Sequence, residues 1–169
     1  MKRRLHKLAD AMRVRFPGAD FRSFVDTAPV LERELAELAG LGWIGKNTML
    51  IHPRVGSYTL LGGAATNLEL AIPAEQVKTD DACGTCTRCI DACPTRAITP
   101  YSVDASRCVS YLTIERRELI DESLTPGVGD WLYGCDVCQE VCPHNSARAE
   151  GTFVGGALPE YGARRDSFS

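Results

Sequence analysis

The sequence predicts an α+β chain in two parts. The first 75 residues alternate helical and strand-like periodicity, whereas residues 83–142 hold all eight cysteines. No apolar run approaches the ~18 residues that a membrane-spanning helix requires.

Residues 1–16 place Leu5, Leu8, Ala9, Met12 and Phe16 on one face at helical spacing. The opposite face carries Lys2, Arg3, Arg4, Lys7, Arg13 and Arg15. It reads as a solvated surface, with a phosphate-facing patch as the alternative. Pro17-Gly18 ends the helix. A helix that starts at Met1 without a capping residue reads like the middle of a longer protein. Residues 21–25 read as a strand. A second helix follows, with Asp26 or Thr27 as its cap, Pro29 in its first turn and Gly40 at its end. The stretch Gly40-Leu-Gly-Trp-Ile-Gly-Lys-Asn47 reads as a glycine-rich connection, not a phosphate loop, because the lysine register does not match one. Lys46 then reads as a surface charge, with a phosphate contact as the alternative. Residues 48–51 and 58–61 suggest strands joined by a turn at Pro53 and Gly56, and residues 64–70 a third. Residues 73–81 form a polar linker. Beyond it, Asp104 or Ser106 caps a helix reaching about Glu118, and residues 125–129 form a turn. The expected division is 1–75, 76–145 and an irregular tail, 146–169.

The cysteines carry the chemistry. Cys83-Gly-Thr-Cys86-Thr-Arg-Cys89-Ile-Asp-Ala-Cys93-Pro94 is the C-x2-C-x2-C-x3-C-P run with which bacterial ferredoxins hold [4Fe–4S] clusters. Cys108 and Cys135-Asp-Val-Cys138-Gln-Glu-Val-Cys142-Pro143 repeat it, with the first cysteine displaced by the 26 residues 109–134. Three cysteines on one tight loop can wrap three corners of a cubane. The fourth, thrown forward before a proline, ligates the other cluster. The expected sets are Cys83, Cys86, Cys89 and Cys142 for one cluster, and Cys93, Cys108, Cys135 and Cys138 for the other. Two readings compete. Four disulfides would need an oxidising compartment, and no secretory segment is visible. Zinc would explain paired C-x2-C units but not two C-P endings.

Composition bounds the rest. Of 169 residues 44% are apolar, enough for a core, although the cysteine lobe is small and needs internal staples. With 19 basic and 22 acidic side chains the formal charge is −3, so global charge does not advertise nucleic acid. Arg3-Arg4 sits in a helical pattern and not before an apolar leader. The expected location is cytoplasmic, without membrane contact.

Taken together, Asp26-Thr-Ala-Pro-Val-Leu-Glu-Arg33, the Gly40–Asn47 stretch, Cys108-Val-Ser-Tyr-Leu-Thr-Ile-Glu115 and Tyr133-Gly-Cys-Asp-Val-Cys-Gln139 resemble the epoxyqueuosine reductase family over residues 5–145. The resemblance implies a partial nitroreductase-like cobalamin-binding domain followed by a ferredoxin-like domain with two [4Fe–4S] clusters. It implies reduction of epoxyqueuosine to queuosine at the tRNA wobble position. Electrons would come from an external donor such as a flavodoxin or ferredoxin system and pass through the clusters to cobalamin, in a monomer. By the same resemblance Asp26 is the proton donor, against the local reading of a helix cap. Asp26, Leu50, Ser110 and Asp136 would contact the corrin. The family's upstream cobalamin-domain segment and downstream helical repeats are not seen, and His144 stands where the family usually has tryptophan. Such a piece would hold both clusters yet turn over weakly. Competing functions are a ferredoxin-type electron carrier, a cobalamin-dependent reductive dehalogenase and a zinc-bound nucleic-acid module. The 80-odd residues before Cys83 are more than a carrier needs.

Overall fold

The computed structural model describes residues 1–26, 28–71 and 79–146. Helix α1 (Lys2–Arg15) lies on a ribbon of β1 (Phe21–Phe24) and β4 (Gly63–Thr66), paired antiparallel with Phe21 opposite Thr66 and Phe24 opposite Gly63. Ala9 and Phe21 are buried, while Leu8, expected on the inner face, is 52% exposed. A ribbon two strands wide covers only a narrow stripe of the helix. The basic face is in solvent. One of its members is engaged: the Arg13 guanidinium donates to Asp10 Oδ1 at 2.7 Å and to the Phe21 carbonyl.

Helix α2 (Glu32–Leu38) begins later than its sequence suggests. Leu31 is its N-cap position and no side chain caps it, so the expected cap from Asp26 and the first-turn role of Pro29 are corrected; Thr27 lies outside the described residues. Asp26 has φ 58°, and the Val30 N–H donates to the Ala28 carbonyl at 2.8 Å, a tight turn that consumes the chain before the helix can start. Glu32 and Glu34 favour the positive helix start instead. The end is as expected. Gly40 has φ 71°, and Gly40 and Leu41 donate back to Glu37 and Ala36 in a Schellman closure.

That closure feeds a tight hairpin, β2 (Trp43–Ile44) against β3 (Leu50–Ile51), on which α2 packs. Gly42 is required there, since a Cβ would sit 2.2 Å from the Ile51 carbonyl oxygen. The expected strand at 58–61 does not form; the Thr59 N–H turns back onto the Ser57 carbonyl and Leu60 is exposed.

The cysteine lobe is made of short pieces. They are α3 (Arg88–Asp91), the pair β5 (Ile98–Thr99) and β6 (Ser102–Val103), and a 3-10 turn (Ala105–Arg107) capped by Asp104. Then come α4 (Val109–Ile114), α5 (Thr125–Val128), α6 (Val137–Glu140) and α7 (Pro143–Ser146). Helix α4 stops short of Glu118. The expected turn at 125–129 is helical, because Val128 packs with Val109, Leu112 and Leu124 in a buried cluster. A second cluster joins Trp43 and Ile51 to Cys142 and Cys83. Gly42→Ala is expected to destabilise the protein by about 3 kcal/mol, since the added methyl meets backbone that cannot rotate away; a denaturant titration checks this.

Candidate metal centre

The loop from Asp81 to Cys93 is fixed from its own ends. The Asp81 carboxylate accepts from the Cys83 N–H at 2.7 Å and from the Tyr101 hydroxyl. Burial pushes this carboxyl up, but those hydrogen bonds and Lys46 outweigh it and its pKa is lowered. The Cys86 N–H closes onto the Cys83 carbonyl at 3.0 Å, and α3 then presents Cys89. Past α3, Cys93 Sγ accepts the Ala97 N–H at 3.2 Å. In the second half Cys108 sits at the start of α4, and Thr113 Oγ accepts the Gly134 N–H at 2.9 Å, holding Cys135 against α4. Asp136 precedes α6, which carries Cys138; Cys142 follows it and is buried.

No cysteine is disulfide-bonded. The sulfurs sense one another in two groups. Burial raises the Cys89 thiol, and Cys83, Cys142 and Cys86 raise it further. Burial raises Cys135, aided by Cys108 and Cys93. Cys138 is pushed up to about 12 by burial, then by Cys135 and Cys108, with smaller effects from Cys89 and Cys93. Cys83, Cys86, Cys89 and Cys142 also line one cavity with Lys46, Asn47 and Ile51. Among the described residues no three His, Cys, Asp or Glu side chains close around a single metal ion. The four sulfurs of the first expected set share this one cavity. Backbone N–H groups already turned to sulfur, Ala97 toward Cys93, Lys46 toward Cys83 and Val137 toward Cys135, fit thiolate ligands.

The β2–β3 hairpin fastens these loops. Lys46 Nζ donates to the carbonyls of Gly84 at 2.6 Å and Cys86 at 3.0 Å, which corrects its reading as a surface charge. Buried Asn47 donates through Nδ2 to the Cys138 carbonyl at 3.1 Å. Buried Ser57 accepts from Asn145 Nδ2 and donates to Gln139 Oε1, both at 2.8 Å.

Residues 82–145 match a family described as 4Fe-4S double cluster binding domain. The chain is 46% identical over 146 residues to the epoxyqueuosine reductase of Pseudomonas aeruginosa, covering 86% of this chain and 40% of that protein. By sequence, this chain is a homologue of the epoxyqueuosine reductases. A solved epoxyqueuosine reductase with a tRNA-Tyr epoxyqueuosine-modified stem loop aligns with TM-score 0.76 and 37% identity, over 85% of this chain and 37% of that one. The Bacillus subtilis epoxyqueuosine reductase, solved with its catalytic aspartate loop swung out of the active site, aligns with TM-score 0.77 and 35% identity, over 86% and 37%. The chain thus spans about two fifths of the length of the reductases it matches.

Within this homologue the remaining expected residues are scattered. Asp26 is exposed just beyond β1; Leu50 is buried in β3; Ser110 is half-buried on α4; Asp136 is exposed and accepts from Gln139 Nε2 at 2.7 Å. No hydrogen bond links any two of these four side chains. Sequence reasoning missed Trp43, Asn47 and Ser57. Only an uncharged aromatic between two glycines, and polar residues beside them, could have signalled these positions.

Lys46→Met is expected to bleach the cluster absorbance in air severalfold faster than the parent or Lys46→Arg, because the first ligand loop loses two charge-assisted ties. For the iron-free chain, the Cys138 thiol lies at about 12 when folded against an ordinary 9.0. Its contribution to stability is complete below the ordinary value and is lost as pH rises through the folded one. Urea midpoints of the reduced, iron-free protein are therefore expected to fall between about pH 9 and about pH 12, and to fall less in Cys138→Ala.

Proposed function

We propose that this chain carries the electron-delivering part of the reduction of epoxyqueuosine to queuosine in tRNA. Cys83, Cys86, Cys89 and Cys142 hold one [4Fe–4S] cluster, and Cys93, Cys108, Cys135 and Cys138 the other. The reading rests on one observation. All eight cysteines lie in or at a stretch that matches a 4Fe-4S double cluster binding domain, within a chain that aligns, at 37% identity, with an epoxyqueuosine reductase holding a modified tRNA stem loop. The reaction takes two electrons and two protons, forms the alkene and releases the epoxide oxygen as water. An external flavodoxin or ferredoxin system is the proposed electron source, and a cytoplasmic monomer the proposed form. Among the described residues no helix is long and apolar enough to cross a membrane.

Residues 1–75 are proposed as part of a nitroreductase-like cobalamin domain, and 76–145 as the cluster domain. Cobalamin, when bound, supplies a strongly reducing centre. The side chains of Asp26, Leu50, Ser110 and Asp136 do not by themselves enclose a corrin ring, so the steps assigned to this chain are electron supply and proton delivery. Asp26 is the proposed proton donor to the leaving oxygen. A non-glycine residue held at φ 58° is uncommon, and such backbone positions gather at working sites. Exposure leaves its carboxyl free to reach a substrate.

Anaerobic reconstitution is expected to give a brown protein with iron and sulfide for two cubanes. Zinc or paired cystines would overturn the reading. Assayed with epoxyqueuosine-containing tRNA and added cobalamin, the Asp26→Asn change is expected to lower turnover by about 10²–10⁴-fold at unchanged iron content. Undiminished turnover would remove Asp26 from the proton step. Iron without any conversion of epoxyqueuosine-containing tRNA would favour the electron-carrier reading.

A further inference from the structure

The hairpin buries a polar atom that meets no hydrogen-bond partner among the described residues. Trp43 is 3% exposed, and its indole Nε1 is buried with no hydrogen-bond acceptor. A buried N–H without a partner costs about 1–3 kcal/mol, so it marks a position where an acceptor belongs. The ring packs with Ile51 against Cys142 and Cys83, two thiols of one set drawn from opposite ends of the lobe. His144 meets it edge-on, with centroids 4.9 Å apart and planes at 81°, and turns its own Nε2 to the Ala82 carbonyl at 3.4 Å. The indole thus packs against these sulfurs, and a neutral thiol is too weak an acceptor to complete its bond. A thiolate or bridging sulfide would be a better one.

We propose that the Trp43 indole N–H donates to the sulfur shell of the cluster held by Cys83, Cys86, Cys89 and Cys142, and makes that cluster easier to reduce than the other. The inference rests on the two-cluster reading above. Reduction adds a negative charge to the cluster, and hydrogen bonds to charged acceptors are stronger than to neutral ones. A fixed donor therefore favours the reduced state, one of the ways proteins set cluster potentials. The two clusters differ in this respect: the other set has backbone donors from Ala97 and Val137, whereas this one adds an aromatic side chain that can be exchanged without touching the backbone. Trp43 is a positioning residue; it touches the cluster's ligands and not the substrate.

The test is the anaerobically loaded protein with Trp43→Phe, which keeps the ring and loses only the N–H. Redox titration followed by electron paramagnetic resonance is expected to show one cluster about tenfold harder to reduce, ~59 mV for a one-electron couple, and the other unmoved. Full iron content in the variant shows that both clusters assembled. An unchanged pair of potentials at full iron content would overturn the proposal without touching the two-cluster reading; it is also the result expected if the N–H is spent on the face of the His144 ring. Should Trp43→Phe fail to load, a second measurement decides. In a Trp131→Phe background, tryptophan labelled at the indole nitrogen is expected to give a nitrogen coupling to the reduced cluster in electron–nuclear double resonance. No coupling would overturn the assignment.

Discussion

Sulfur atoms from distant points of the chain have to meet at two places, and the small size of the cysteine lobe follows from that demand. Helices α3 and α6 are four residues each, far too short to persist alone. They survive because each presents one thiol inward and packs against the other helix. Each proposed set takes three sulfurs from one stretch and one from the other. Neither half can then hold its metal without the other, and the hydrophobic cluster of Val109, Leu112, Leu124 and Val128 only has to brace the long insertion between Cys108 and Cys135. In a lobe with so few buried residues, metal ligation does what a core does elsewhere.

The hairpin is what joins the first part of the chain to this lobe. Trp43 and Ile51 share a buried cluster with Cys83 and Cys142, and Lys46, Asn47 and Ser57 bond to the loops on both sides. Packing therefore crosses the proposed division near residue 75. Those residues make a floor for the first cysteine set. The glycines are what let the floor come so close: with any larger residue at 42 the two strands could not meet.

Spacing between cysteines is a local property, so the double-cluster motif was legible from the chain alone, as were the first helix, the ribbon strand at 21 and the glycine stop at 40. What could not be read were contacts made across large sequence distances. Lys46 reaches carbonyls about forty residues away, and nothing in its neighbourhood distinguishes that role from solvation. Residues 58–61 alternate like a strand but find no partner strand, because Ser57 is tied to Gln139 and Asn145 instead. Asp26 looks like a cap by residue type, yet its left-handed backbone points the chain elsewhere. Propensity decides where tertiary contacts are silent, and here they were not.

Cys89 and Cys138 belong to different proposed sets, on helices that pack together, and the charge of one raises the cost of charge on the other. Two centres so close can pass an electron by tunnelling through a thin wall of protein. They also do not fill independently, since the first electron to arrive makes the second more expensive to place beside it. Clusters held by the proposed sets would hand charge onward singly and in sequence, like a relay, and not as a store that empties at once.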